Sequence, residues 1–177
     1  MQCVSHFESP MGGILLASDE AGLTGLWFEG QKYFSFHTDE ETTEKETAFS
    51  EQAKRWLTVY FSGKEPDFAV PVHLMGTDFQ MEVWKILSSI PYGQTMTYGE
   101  IAKKIAAQRN LPRMSAQAVG GAVGHNPVSI MVPCHRVVGS DGSLTGYAGG
   151  IEKKVRLLTL EKVDMKRFFV PKKGTAL

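Results

Sequence analysis

The hydrophobic pattern of the chain changes at residues 75–76, and this change constrains the fold more than any other feature. Before it, short apolar runs separated by turn residues indicate strands, with one helix among them. After it, three helix patterns follow in succession. We therefore predict an α+β protein with an N-terminal support domain at residues 1–75, a helical domain at residues 76–163 and a basic C-terminal extension at residues 164–177.

The first part has the pattern of a small sheet with one helix. Apolar residues 14–17 and 23–28 flank a polar turn, which predicts two paired strands. Apolar residues from 49 to 61 share one helix face. A half-buried strand is predicted from four alternating apolar residues, Phe68, Val70, Val72 and Leu74. The acidic residues 37–47 predict an exposed loop, and the role of this part is support.

Capping boxes open two helices of the second part. Residues 77–80 and 97–100 each combine a threonine with a glutamine or glutamate three positions later. A third helix is predicted over residues 115–124, and a final one from Ile151. Two short helices, an apolar segment and a turn at residues 141–142 follow the order of a helix-turn-helix with a wing-like hairpin.

The net charge is zero, yet the two halves carry opposite charge. Residues 1–75 hold 5 basic and 12 acidic residues, a net of −7, and residues 76–177 hold 14 basic and 7 acidic residues, a net of +7. The basic half favours a polyanionic partner. Attraction between the two halves is the alternative that charge alone leaves open.

Composition argues against several classes of protein. No run of about 18 apolar residues occurs, so neither a membrane span nor a membrane partner is expected. The N-terminus lacks the basic and then apolar stretch of a secretory signal. Two cysteines, Cys3 and Cys134, make no disulfide framework, which favours a reducing, cytoplasmic location.

The predicted third helix is built almost entirely of small residues. Glycine inside a helix costs about 1 kcal/mol relative to alanine, and this helix contains Gly120, Gly121 and Gly124. A tightly packed neighbouring helix would explain the lack of bulk. The close approach of a DNA backbone is the other explanation, and the basic charge together with the helix-turn-helix order favours it.

One segment, residues 130–138, carries candidate chemistry because Cys134 and His135 lie between two apolar runs. A cysteine in such a position is normally buried and inert. Here the histidine and Arg136 should lower the thiol pKa and favour the nucleophilic thiolate. On a strand, adjacent side chains point to opposite faces, so the pair needs either a sharp turn after Pro133 or a bridging water.

A third group should orient the imidazole of His135. The available carboxylates include Glu161, Asp141 and Glu152. Glu161 follows the apolar face of the predicted final helix, but spacing alone does not select it.

The motif Pro133-Cys134-His135-Arg136-Val137, preceded by the small-residue helix and by Asn126-Pro127, resembles the O6-alkylguanine-DNA alkyltransferases. The similarity spans roughly residues 76–163, including residues 146–150, and is fainter at residues 9–12 and 22–23. It implies a ribonuclease-H-like N-terminal domain followed by a winged helix-turn-helix domain that carries the active cysteine.

The resemblance implies an irreversible, stoichiometric repair reaction by a monomer that binds duplex DNA in the minor groove. The O6-alkylguanine turns out of the stack, and Cys134 takes its alkyl group permanently. His135 acts as the base through a water, and Glu161 holds the imidazole. Tyr98 assists rotation of the nucleotide and protonates the leaving guanine, while Asn126 braces the active-site turn. O4-alkylthymine is a further implied substrate, and no metal or other cofactor is required.

The resemblance also implies two contact surfaces. The extruded base is expected to meet Val137, Tyr147, Ala148 and Arg136, although Arg136 could equally be a structural brace. DNA contacts are expected at Thr97, Tyr98, Ser115, Gln117, Ala118, Gly121 and Val123. Two features depart from the family: Gln117 stands where an arginine usually fills the gap left by the flipped base, and the connection from Tyr98 to Gln117 is longer.

Two other functions stay open. A helix-turn-helix protein could recognise alkylated DNA and recruit repair factors without chemistry, although relatives of that kind replace the cysteine. A thiol hydrolase would use the same Cys–His pair but needs an oxyanion hole, which the sequence does not show.

Overall fold

The computed structural model describes residues 2–31 and 42–171, and contacts divide the chain into two units. The first unit comprises Met1–Met75 with Pro127–Ser129, and the second comprises Gly76–Asn126 with Ile130–Leu177. Within the described ranges, no helix is long and apolar enough to cross a membrane. Parts of two predicted segments, residues 37–41 of the acidic loop and 172–177 of the C-terminal extension, lie outside the described residues.

A four-stranded sheet forms the centre of the first unit. Its strands are β1 (Gln2–Ser9), β2 (Gly12–Ser18), β3 (Leu23–Phe28) and β4 (Thr42–Glu44), in the order β3-β2-β1-β4. The β1–β2 and β2–β3 pairs are antiparallel, and β4 lies parallel to β1. The predicted strand pair β2–β3 is confirmed, whereas the sequence pattern predicts neither β1 nor β4, and β4 lies in the stretch expected to be a loop.

The helix of the first unit, α1 (Ala48–Phe61), is confirmed. It begins at Thr47, whose hydroxyl accepts a hydrogen bond from the Ser50 N–H at 3.1 Å, while the Ser50 hydroxyl accepts one from the Thr47 N–H at 2.7 Å. Its buried face includes Leu57 and Tyr60 and packs against β1 and β2. On the sheet itself, Leu15, Ala17 and Trp27 form a further buried cluster, against which Val4 packs.

The predicted strand at residues 68–74 is wrong. This segment meets β3 at a single bridge, between Leu23 and Val72, beside a hydrogen bond from the Leu23 N–H to the Pro71 carbonyl. Proline has no N–H to donate, so a longer ladder cannot form there. Of the four alternating residues only Val70 is buried.

Up to residue 171, where the described part of the second unit ends, there are four α-helices, and all four are confirmed. They are α2 (Asp78–Ser88), α3 (Tyr98–Gln108), α4 (Ala116–Gly124) and α5 (Ile151–Leu160). Thr77 and Thr97 cap α2 and α3, as predicted, and Ser115 caps α4. These three helices pack against one another. The indole N–H of Trp84 donates to the Ala122 carbonyl at 2.9 Å, a close approach that the small residues of α4 permit.

A small parallel sheet and a tight turn complete this unit. Strand β5 (Met96–Thr97) pairs with β6 (Val137–Val138). The predicted turn at residues 141–142 is present, but its flanks do not form a hairpin of their own. Because β6 pairs with β5 and Ser143 bridges to Phe169, each flank has a different partner.

Candidate active site

Cys134, His135 and Arg136 form a single 3-10 turn. The Arg136 N–H donates to the Pro133 carbonyl at 3.0 Å, and the chain upstream bends at Ile130, which has a φ of +72°. Such a φ is unusual for a β-branched residue. The sharp turn that the sequence analysis allows after Pro133 is therefore present at Cys134, and a water between Cys134 and His135 stays a prediction.

The carboxylate that reaches the imidazole is that of Glu161. Nε2 of His135 and Oε2 of Glu161 are 2.5 Å apart, and both side chains are fully buried. Asp141 and Glu152 are exposed and do not compete for this position. Because a carboxylate accepts hydrogen bonds, Nε2 carries the ring proton, and Nδ1 of the neutral ring holds the lone pair.

Burial and hydrogen bonding set the charges of this pair. Burial lowers the pKa of His135, although Glu161 opposes the shift. Burial by itself would raise the pKa of Glu161, but hydrogen bonds from His135 and Arg136 hold that pKa at about 2. At neutral pH the pair is therefore a neutral imidazole oriented by a carboxylate, which is the state of a general base.

Arg136 faces the interior of the second unit. Its Nε donates to Oε1 of Glu161 at 2.8 Å, and its Nη1 donates to the Ile90 carbonyl at 2.7 Å. The guanidinium carbon lies 5.8 Å from the centre of the Tyr92 ring. These contacts favour the structural brace of the two alternatives, and the expected contact of Arg136 with the base stays a prediction.

Asn126 braces the reactive turn. Its Nδ2 donates to the Val132 carbonyl at 2.6 Å, two residues before Cys134. Burial raises the pKa of the Cys134 thiol, while a hydrogen bond with Asn126 and the charge of Lys154 act in the opposite direction. The expected net lowering of this pKa is wrong because desolvation outweighs the stabilising contacts. The resting cysteine is thus a thiol that a base must activate.

Lys154 on α5 belongs to the site, although it is not among the predicted site residues. It is 0% exposed, its Nζ donates to the Thr145 carbonyl at 2.8 Å, and it lies 5.9 Å from the centre of the Tyr98 ring. Burial lowers its pKa to about 8. One sequence signal could have identified it, since Lys154 lies on the apolar stripe that contains Ile151 and Leu158.

Tyr98 meets the same carbonyl as Lys154. Its buried hydroxyl donates to the Thr145 carbonyl at 3.0 Å. Burial raises the pKa of Tyr98 well above its usual range, so the phenol stays protonated at neutral pH. The Thr145 carbonyl therefore joins Tyr98 and Lys154 to the loop that contains Tyr147 and Ala148.

The other predicted contact residues differ in exposure. Val137 and Tyr147 are buried and Ala148 is half-buried. Ser115, which caps α4, and Gln117 and Ala118 on that helix are exposed, and Gly121 is half-buried. Thr97, which caps α3, is half-buried as well. Val123 is 1% exposed. Its side chain packs inside the unit, and the expected DNA contact at this position stays a prediction.

Two family models match the chain. The 6-O-methylguanine DNA methyltransferase ribonuclease-like domain matches residues 4–74, and the 6-O-methylguanine DNA methyltransferase DNA binding domain matches residues 78–163. Together the two matches span nearly the whole of both units.

Similar proteins cover almost the full length of the chain. The methylated-DNA–protein-cysteine methyltransferase of Mycobacterium tuberculosis is 48% identical over 155 residues, which is 88% of this chain and 89% of that protein. The protein of the same name from Methanosarcina barkeri is 47% identical over 160 residues, which is 90% of this chain and 96% of the relative. The crystal structure of Mycobacterium tuberculosis OGT in complex with DNA matches with a TM-score of 0.78 at 43% identity, over 94% of both chains.

Proposed function

The chain belongs to the 6-O-methylguanine DNA methyltransferase family, and on that premise we propose that it is a methylated-DNA–protein-cysteine methyltransferase. It repairs duplex DNA by transferring the O6-alkyl group of an alkylated guanine, or the O4-alkyl group of a thymine, to Cys134. The observation that carries this function is the buried imidazole of His135, held neutral and oriented by the ionised Glu161 beside the reactive turn.

The proposed reaction moves one proton and one alkyl carbon at the cysteine. Nδ1 of His135 accepts the thiol proton through a water, and Glu161 stabilises the imidazolium that forms. The sulfur of Cys134 attacks the alkyl carbon, the carbon–O6 bond breaks, and its electron pair passes to the guanine. The phenol of Tyr98, protonated at neutral pH, donates a proton to the leaving base.

Lys154 supports the thiolate electrostatically in this proposal. The thiol is buried, so an anion there needs a nearby cation or hydrogen-bond donors. Lys154 lowers the thiol pKa by its charge, and Asn126 lowers it by a hydrogen bond. The thioether product offers no leaving group that these residues could expel, so each molecule reacts once.

The proposed DNA surface is the exposed side of α4. Ser115, Gln117 and Ala118 are exposed there. At Gly121 an added Cβ would meet no atom within 4 Å, so packing inside the chain does not explain that glycine. Close approach of the minor groove does explain it, with Gln117 filling the gap left by the flipped base. Mycobacterium tuberculosis OGT, which has been crystallised with DNA, supports DNA as the partner.

The remaining proposals concern organisation. Residues 1–75 support the domain at residues 76–163, which binds DNA as a monomer and carries out the transfer. The reaction requires Cys134 in its reduced form, which favours a cytoplasmic location.

The test is a mass measurement after incubation with a duplex that contains O6-methylguanine. One equivalent of DNA should add about 14 Da to the peptide that contains Cys134, because a methyl group replaces the thiol hydrogen. A Cys3→Ser variant should react like the wild type, since Cys3 is the other free cysteine, and Cys134→Ser should not react. DNA binding without a mass change would instead indicate a pure binding module, and repeated turnover with Cys134 still free would indicate a hydrolase.

A further inference from the structure

The segment that follows α5 returns to the turn at residues 139–144 and forms backbone hydrogen bonds with it. The Phe169 N–H donates to the Gly142 carbonyl at 3.0 Å, and the Leu144 N–H donates to the Phe169 carbonyl at 2.8 Å. Residues 165–169 are therefore part of the folded unit, although the DNA-binding family match ends at residue 163.

Side-chain packing strengthens this connection. Met165 and Phe168 pack against an apolar cluster that consists of Val138, Leu144, Leu158 and Val163. The backbone of Arg167 lies close to Gly142. The φ of Gly142 is +90°, and a Cβ added there would lie 2.5 Å from the Arg167 carbonyl oxygen. Glycine is the residue that suits both the positive φ and this contact.

Leu144 connects this segment to the active site. Its N–H is held by Phe169 and its side chain is buried in the apolar cluster. The next residue is Thr145, whose carbonyl accepts the hydrogen bonds from Tyr98 and Lys154. A displacement of Leu144 would therefore move the carbonyl group that positions both side chains.

We infer that residues 165–169, here called the C-terminal strap, position residues 145–148 for alkyl transfer, an inference that rests on the proposed function. The strap acts through the backbone of Leu144 and Thr145 and does not touch the reacting atoms. Phosphate binding by Lys166 and Arg167, both exposed, is the competing explanation for a basic segment here. The two explanations differ in whether the reaction with a free base depends on the strap.

The experiment compares Phe169→Pro with Phe169→Ala. Proline removes the N–H that bonds to Gly142, and the preceding Phe168 already has the extended backbone that proline requires, with φ −115° and ψ 155°. Alanine keeps the N–H and removes only an exposed side chain. A second pair ends the chain at Phe168 or at Pro171, in case the proline variant does not fold.

The alkylation rate of Cys134 is measured with duplex DNA containing O6-methylguanine and with the free base O6-benzylguanine. Phe169→Pro should slow both reactions about 10- to 100-fold, because displaced positioning groups cost rates of that order. In Phe169→Ala the alkylation rate of Cys134 should stay within about twofold of the wild-type rate on both substrates. Alkylation by iodoacetamide, which needs no base-binding loop, should change little in either variant, whereas general loosening of the fold would accelerate it.

Two results would overturn the inference. Unchanged rates in both Phe169→Pro and the chain ending at Phe168 would show that the strap positions nothing. A loss confined to the DNA substrate would assign the segment to phosphate binding. Failure of the wild type to react with either substrate would instead count against the proposed function.

Discussion

The two units bury different kinds of polar side chain. Within the described residues, the buried polar residues of the first unit are uncharged, and they are Gln2, Ser5, Ser18, Thr24, Gln31, Ser50 and Ser129. Those of the second unit include four ionisable side chains, His135, Arg136, Lys154 and Glu161. Burying a charge is unfavourable unless it is paired and hydrogen-bonded.

This difference matches the roles proposed for the two units, which are support for the first and chemistry for the second. In the first unit the buried polar groups form hydrogen bonds between uncharged atoms, as when the Gln31 side chain accepts a hydrogen bond from the Phe28 N–H at 2.9 Å and the Ser18 hydroxyl lies 2.8 Å from that of Thr47. The second unit keeps ionisable groups out of water, and burial moves the pKa values of Cys134, His135 and Lys154. An apolar core would be more stable there but would have no base and no supported thiolate.

Removal of a carboxylate should produce the largest contrast between the units. Glu161→Gln leaves Arg136 buried without its counter-ion, and we expect the free energy of unfolding to fall by about 3–5 kcal/mol. The alkylation rate should fall about 100-fold or more because His135 loses its orienting group. Urea denaturation and Cys134 alkylation measure the two effects.

The matched change in the first unit is Asp19→Asn. It weakens the ion pair with His73, whose side chain is 43% exposed and whose Nδ1 lies 2.6 Å from Asp19. A pair this exposed contributes less than about 1 kcal/mol, so stability and alkylation should barely change. Equal losses in the two variants would contradict the contrast between the units.

Two buried amide side chains offer the next comparison. Asn126→Ala leaves the Val132 carbonyl without its donor and should cost about 1–3 kcal/mol of stability. It should also slow alkylation, because the hydrogen bond that lowers the Cys134 pKa is lost. Gln31→Ala should cost a similar free energy, since it leaves the Phe28 N–H unsatisfied, but should not change the alkylation rate. A reduced alkylation rate in Gln31→Ala would mean that the first unit takes part in the chemistry.

Lys154→Met should separate stability from activity. Methionine replaces a buried cation with an apolar chain of similar length. The free energy of unfolding at pH 7 should therefore be at least as large as that of the wild type. Alkylation should slow about tenfold, because the buried thiolate loses its cation. Lys153→Met, a neighbouring half-buried lysine on the same helix, is the control and should react normally. A Lys154→Met protein with normal alkylation would remove Lys154 from the site.

The stability difference between wild type and Lys154→Met should depend on pH. The pKa of Lys154 falls from 10.5 to about 8 on folding, so between these values the unfolded chain binds more protons. The wild type should therefore gain stability relative to the variant as pH rises through this window, by at most about 3 kcal/mol. Cys134 titrates in the opposite sense, and the charge of Lys154 itself lowers the Cys134 pKa. The comparison is therefore made with Cys134→Ser present in both proteins, so that the difference isolates Lys154.

The charge difference between the units gives the smallest expected effect. Arg113→Gln removes an exposed cation next to the start of α4, and the slope of log affinity for duplex DNA against log salt should fall by about 1. Lys64→Gln, an exposed cation of the first unit, should leave the slope unchanged. Similar changes in both variants would show that DNA contacts are not confined to the second unit.

Local signals made most helices and one strand pair predictable from the sequence. The capping boxes at Thr77 and Thr97 and the apolar faces of their helices are short-range features, and the structure confirms them. Strand β1 has no such signal, since its two buried residues are Gln2 and Ser5. The segment at residues 68–74 has the alternation of a strand, but Pro71 prevents the ladder.

The active site was predictable in composition but not in arrangement. The motif around Cys134, with its family resemblance, identifies the reactive residues. It does not show whether Arg136 faces DNA or the interior, nor that Lys154 approaches Tyr98. These facts depend on how α5 packs against the 3-10 turn.

By itself, the sequence of this protein determines the fold class, the helix ends and the chemical identity of the reactive segment, because propensities, caps and charge act between near neighbours. The tertiary structure alone decides which carboxylate orients His135 and which cation accompanies the thiol. The physical reason is that the His135–Glu161 bond joins residues 26 positions apart. In addition, the pKa values of the site follow from desolvation, which exists only once the whole unit has packed.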